Sequence, residues 1–444
     1  MFHHRSEELT SLCAGVLAEA QSQGASAAEA DISESLGQSV QVRQGDVEHI
    51  EYQQDKSLDI TVYVGQARGR ASTADFAPQA ITQTIQAALN IAQFTAQDPC
   101  AGLADADLMA TELGDTDSFY PWMLSVDEAI ELAKRTEAAA LSTDGRISNS
   151  EGAGTQTDHY QYVYGNSHGF LAYQRGTRHS LSCSVLATDE QGMQRDYWYD
   201  VARDARDLSS AEDIGHIAAA RTVRRLGARS VPTGRYPVIF DATVSGSLIG
   251  HLVGAISGGA LYRQTSFLAD SLGQSVLAPW VDLQERPHLK KALASTYFDA
   301  EGVATHDRNI IEQGRVAGYF LSSYSARKLG MNTTGNAGGP HNLYLNHTHD
   351  TQADLLKDMG TGLLVTELMG QGVNTITGDY SRGAAGFWVE NGVIAYPVEE
   401  ITIAAQLQDM FLDLVGAADD ALKRSAHKVG SLWVAQMTVA GQSN

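Results

Sequence analysis

The segment Leu248-Ile249-Gly250-His251-Leu252-Val253-Gly254-Ala255-Ile256 constrains this chain most. Apart from one imidazole it is apolar or side-chain-free all round, so it reads as a helix that must be buried. It is too short to cross a membrane. That takes about 18 apolar residues in succession, and no run in the chain reaches this length. The helix therefore calls for a large core, which 444 residues with an apolar share of 43% can supply.

His251 stands alone on that helix. A zinc peptidase built on such a segment uses two His as metal ligands and a Glu to polarise the bound water. No Glu adjoins His251, and no second His lies within two turns. The context of a zinc helix is present without its chemistry.

Other features bound the setting. The amino terminus, Met1-Phe2-His3-His4-Arg5-Ser6-Glu7-Glu8, turns polar at once and has no signal-peptide core. Cys13, Cys100 and Cys183 are odd in number and scattered, unlike a disulfide framework or a zinc knuckle. A reducing, cytoplasmic compartment is expected. The formal charge of -22 speaks against nucleic acid, which needs a basic face. The cluster Arg221, Arg224 and Arg225 reads as the last turn of a helix, complementing its dipole.

The periodicities predict an α+β chain in three segments. Residues 1–100 form an amino-terminal α+β segment, 101–230 a middle α+β segment, and 231–444 a Gly-rich, mainly β carboxy-terminal domain that carries the degenerate zinc-type helix. A helix is expected over 6–23. Strands Ser39–Arg43 and Val47–Tyr52 should form a hairpin, and Leu58–Val64, with its alternating pattern, a half-buried strand. Pro78 opens a helix carrying Ile81, Ile85 and Leu89. Residues 100–122 read as an acidic, extended connector. Ser125 and Glu128 spell a capping box for a helix over 126–142. Strands follow around 160–164, 171–173 and 180–185, then a helix capped by Ser209 or Ser210 and ending near Leu226-Gly227. Tyr236–Phe240 reads as a strand feeding the His251 helix. Asn309–Gly314 and Glu390-Asn391-Gly392 are hairpin signals.

Serine-hydrolase, phosphate-loop and dinucleotide signatures are missing. Gly360-Thr361-Gly362 lacks the Gly-Lys-Ser/Thr ending of a phosphate loop. Glycines over 359–388 instead suit tight turns and close strand approach. Within that run Glu367, Asp379 and Arg382 are candidates for a substrate cleft, or for ion pairs that fix the loop.

Several motifs carry a family resemblance. They are Gly250–Ile256, Ser323-Tyr324-Ser325-Ala326-Arg327-Lys328-Leu329-Gly330, Gly335-Asn336-Ala337-Gly338-Gly339, and above all Met359–Gly362, Val365–Gly372 and Thr377–Trp388. In these the chain resembles the TldD/PmbA family of zinc metallopeptidases, on its PmbA/TldE branch, along nearly the whole length. In the active TldD branch the helix carries His-Glu-x-x-x-His, and a Cys near the carboxy terminus completes the site. The resemblance places Gly250 at the first His, His251 at the Glu, Ala255 at the second His and Val429 at the Cys. Three of these side chains have no donor atom, so no catalytic residue, metal ligand or cofactor is expected in this chain.

Two metal readings stay open. His347-Thr348-His349 would put both rings on one face of a strand, or lie in a polar loop. His251 could serve across an interface, or be satisfied by a backbone carbonyl. The resemblance further implies a TldD-like partner that supplies the zinc, a heterodimer with it, a homodimer in its absence, and unstructured peptides as substrates, as in leader-peptide removal. A non-peptidase peptide-binding protein or homodimeric regulator is the alternative.

Overall fold

The structure, a computed structural model, describes residues 2–441. The first half runs α1 (Ser6–Ser22), β1 (Ala27–Arg43), β2 (Asp46–Val64), β3 (Ala67–Thr73), α2 (Pro78–Phe94), α3 (Val126–Thr143), β4 (Ile147–Asn166), β5 (Leu171–Asp189), β6 (Gly192–Ala202) and α4 (Ala211–Val223). The same unit, a helix, a three-stranded meander and a helix, thus occurs twice. The meanders join edge to edge. β1 pairs with β4 antiparallel from Glu29↔Asn166 to Val42↔Ala153, making one six-stranded sheet in the order β3-β2-β1-β4-β5-β6.

Local signals set many of these boundaries. Pro78 stands in the first turn of α2. Ser125 accepts from the Glu128 N–H, and the Glu128 carboxylate reaches back to the Ser125 N–H at 2.9 Å, closing the capping box. Ser210, not Ser209, caps α4, and that helix stops at Val223.

The β1–β2 hairpin is much longer than its alternating stretches suggested. Ser39–Arg43 and Val47–Tyr52 are only its distal end, and Leu58–Val64 belongs to the same strand as Val47. Nor is Leu58–Val64 wet on one face. Leu58, Ile60 and Val62 are fully buried, and Thr61 and Tyr63 are also buried. Helices cover one side of this sheet: Ile32 packs with residues of α1 and α2, and Val42 with residues of α3 and α4. The other side meets the carboxy-terminal half, where Tyr164 and Phe170 pack with Phe298 and Val303.

That second half runs β7 (Gly234–Phe240), α5 (Ala242–Ala255), α6 (Gly258–Tyr262), β8 (Leu283–Glu285), β9 (Arg308–Glu312), β10 (Arg315–Val316), α7 (Ser323–Leu329) and β11 (Leu343–Leu345). It continues with α8 (Gln352–Met359), β12 (Gly362–Met369), β13 (Asp379–Glu390), β14 (Val393–Gln406), α9 (Leu407–Leu412), β15 (Leu414–Ala417), β16 (His427–Lys428) and β17 (Leu432–Ala440). Strands lie in the order β14-β13-β12-β7-β17-β15, and β14 also pairs with β17. That extra pairing, Thr402↔Ala440 to Ala404↔Thr438, closes five of them into a small barrel and removes their free edges.

β7 is buried on both faces. Val238 and Phe240 join the cluster that includes Leu248, Leu252, Leu363 and Val365, while Ile239 packs on the other side with Leu355 and Leu364. Strand approach is close at Gly386, where a Cβ would lie 1.9 Å from the Leu364 carbonyl oxygen. A second sheet, β10-β9-β8-β11-β16, flanks the barrel. The fold is mixed α and β, as expected. No helix among the described residues is long and apolar enough to cross a membrane. Cys13 and Cys183 are buried free thiols, pushed up to about 12 by desolvation.

Candidate functional site

His251 lies on α5, and this helix is only half buried. Asp241 caps it, accepting from the Thr243 N–H at 2.9 Å. Ser245, Leu248, Ile249, Leu252 and Ala255 form its buried face. Gly246, Gly250 and Gly254 lie at i, i+4, i+8 on the other side, and a Cβ on any of them would meet nothing within 4 Å. The expectation of burial all round fails because Gly250 and Gly254 within that segment have no side chain to bury, and Gly246 extends their face by a turn.

The three donor-free positions named from the resemblance sit in different surroundings. Gly250 is exposed, whereas Ala255 is 1% and Val429 2% exposed. The carboxy-terminal tail does return to α5, where Ser245 Oγ donates to the Val429 carbonyl at 3.3 Å. His251 stands edge-on to Tyr380, with ring centroids 6.0 Å apart. Its Nε2 is buried and has no hydrogen-bond partner, so no backbone carbonyl satisfies that atom. Burial, and then the nearby Arg382, push its pKa down, which favours the neutral ring. One imidazole with Gly, Ala and Val does not fit a tetrahedral zinc site. His347 and His349 lie beyond the end of β11 and face different acids. Nδ1 of His347 is 3.8 Å from Asp419, and Nε2 of His349 is 3.1 Å from Asp358.

Beside the amino-terminal end of α5 a cleft of about 590 Å³ opens between the sheet and the barrel. Ala242, Gly246 and Val429 line it, together with β6, the end of α4, and β12. Glu367 and Arg382 both line it. They do not pair with each other: Glu367 takes Arg225 at 2.5 Å, a bridge from the barrel to the turn that follows α4. Asp379 lies outside the cleft, where it accepts from Thr377 and Gln406. These two bonds lower its pKa.

The arginines at the end of α4 were read as dipole partners, and only Arg221 lies in its last turn. Arg221 and Arg225 face Asp196, at 3.2 and 3.8 Å. Arg424 and the β6 aromatic residues Tyr197, Trp198 and Tyr199 were missed altogether. The run of rings on a strand that proves to be an edge was the one signal for the aromatics, and Arg424, in the loop before β16, carried none.

The remaining family motifs brace the fold. In α7, Tyr324 and Lys328 hold Asp98, at 2.7 and 3.0 Å, and Arg327 donates to the Leu103 carbonyl. They fasten the start of the connector, around residues 98–103, to the barrel half. Asn336 donates to buried Glu285 at 2.8 Å and accepts from Arg308 at 2.8 Å.

Known proteins resemble this chain over nearly its whole length. Models of the PmbA/TldA metallopeptidase match as domain 1 over residues 28–92, the central domain over 119–226 and the C-terminal domain over 233–441. Metalloprotease PmbA of Escherichia coli O157:H7 is 51% identical over 415 residues, covering 94% of this chain and 92% of that protein. The crystal structure of a proposed modulator of DNA gyrase from Bacteroides thetaiotaomicron superposes with a TM-score of 0.93 at 27% identity, covering 99% of this chain and 100% of that one. TldE from Thermococcus kodakarensis shares the fold, with a TM-score of 0.83 at 18% identity over 97% of this chain and 100% of its own.

Proposed function

Since this chain belongs to the PmbA/TldD metallopeptidase family, we propose that it is the PmbA/TldE-like subunit of a two-subunit zinc peptidase of the cytoplasm acting on unstructured peptides. In this reading a TldD-like partner holds the zinc. This chain supplies part of the enclosing chamber and contacts to substrate. One observation supports the reading: the carboxy-terminal tail packs back on α5, while Gly250, Ala255 and Val429, which the resemblance sets at the ligand positions, offer no donor atom and Gly250 opens onto empty space. A subunit can keep the shape of a site after losing its metal when a neighbour performs the hydrolysis.

The test is a tagged full-length chain. A TldD-like protein and zinc should co-purify with it. The mixture should cleave an unstructured peptide in a chelator-sensitive way, and the isolated chain should not. His251→Ala should change that cleavage less than about twofold, while removal of the partner's active-site Glu abolishes it. Chelator-sensitive hydrolysis by the chain alone, free of partner by mass spectrometry, would overturn the proposal. So would one tightly bound zinc per chain that disappears in His251→Ala.

A further inference from the structure

The cleft beside α5 is basic in a chain whose net charge is -22. Five arginines line it: Arg195, Arg221, Arg225, Arg382 and Arg424. Three acids face them. Glu151 takes Arg195 at 3.4 Å, Asp196 lies between Arg221 and Arg225, and Glu367 takes Arg225. Arg382 and Arg424 enter no ion pair among the described residues.

Their donors are left over as well. Among the described residues, four arginines have a buried Nε–H with no acceptor, and three of these, Arg221, Arg382 and Arg424, line this one cleft. A guanidinium cannot shed its charge, so a buried N–H without an acceptor is a standing cost unless something supplies oxygens. Arg424 is also held in place. Its guanidinium lies 4.0 Å from the Trp198 ring centroid and 4.2 Å from that of Tyr199, and Arg221 covers Trp198 at 5.1 Å. Such cation–π contacts restrain the guanidinium without using its N–H donors, which stay available to a planar partner. The volume falls within the roughly 300–1,000 Å³ usual for ligand sites.

We propose that this cleft is a carboxylate-binding site that seats an acidic peptide, with Arg382 and Arg424 donating to its oxygens. A carboxylate matches the guanidinium fork in shape and charge. The oxygens could come from Asp and Glu side chains or from the chain terminus. The inference rests on the reading of this chain as a substrate-holding subunit, and it names the substrate class that the subunit selects.

The experiment measures binding of a labelled, flexible octapeptide to the full-length chain by fluorescence anisotropy, without partner and without any cleavage readout. Four peptides are compared: acidic with a free carboxy terminus, acidic with an amide, Asn/Gln-substituted with a free terminus, and neutral throughout. The acidic peptide should bind at least about tenfold tighter than the fully neutral one. The advantage should shrink as salt rises. Loss on amidation identifies the terminus as the source, and loss on Asn/Gln substitution identifies the side chains. Arg382→Gln with Arg424→Gln should erase the preference, while Arg382→Lys with Arg424→Lys should keep part of it, because charge survives without the fork.

Equal binding of acidic and neutral peptides to the wild-type chain would overturn the inference even if a variant fails to fold. So would an undiminished acidic preference in the folded double Gln variant. Co-purification with a TldD-like protein is scored separately. A failed subunit reading with intact acidic preference, or the reverse, tells the two proposals apart.

Discussion

The cleft beside β6 is walled by arginines, and the cavity beneath β1 and β2 contains Glu29. Both lie where the amino-terminal sheet meets the barrel half, and both draw charged side chains out of bulk water. They meet the cost of desolvation differently. Glu29 can take up a proton. Burial raises its pKa, with a further push from Glu301, and Tyr164 and Tyr63 donate to it at 2.9 and 3.2 Å. An arginine has no such escape, so Arg221 and Arg225 need the 6%-exposed Asp196 beside them. A carboxylate cavity can adjust through pH. An arginine cleft can adjust only through partners, from its own chain or from a ligand.

The most severe way to break this contrast is Asp196→Ala. It leaves two partly buried guanidiniums without their shared acid, and stability should fall by about 3 kcal/mol, read as a lower urea midpoint. An unchanged midpoint would mean that Arg221 turns to water, and Arg225 to Glu367 alone, at no cost.

Glu29→Gln should act in the opposite direction. A carboxyl raised in the folded state adds stability that is fully present below its ordinary value of 4.5 and is lost as pH rises through the folded value. The Gln variant should therefore match wild type in acid and exceed it increasingly toward neutral and alkaline pH, in urea titrations across that range. A gap that widens on acidification instead would refute the assignment.

Gly250→Ala sharpens the picture of the open face of α5. A Cβ there meets nothing within 4 Å, so the better helix former should raise stability by roughly 0.5–1 kcal/mol. A loss would show that this position is covered in the isolated chain. The smallest effect belongs to Arg70→Ala, in the lining of the cavity that holds Glu29. Its pair with Asp59 at 2.9 Å is largely exposed, and the change should cost no more than about 1 kcal/mol, vanishing at high salt.

Local chemistry was legible in the chain because neighbours in sequence supply it. The Ser125–Glu128 capping box, Pro78 at the start of α2 and the Asn391-Gly392 turn between β13 and β14 all depend on residues a few positions apart. The family motifs were legible too. Tertiary structure decided the rest. Pairing of β1 with β4 joins Glu29 to Asn166, and no periodicity records a register set across so many residues. It merges two meanders into one sheet and puts β6 at its edge. Closure of β14 on β17 seals the barrel that α5 packs against. The arginine cleft needs both events, because Arg195, Arg225, Arg382 and Arg424 come from four separate stretches of chain. Sequence fixes which side chains can carry charge. Only the fold determines which of them share a cleft, how much water reaches them, and which are left without a partner.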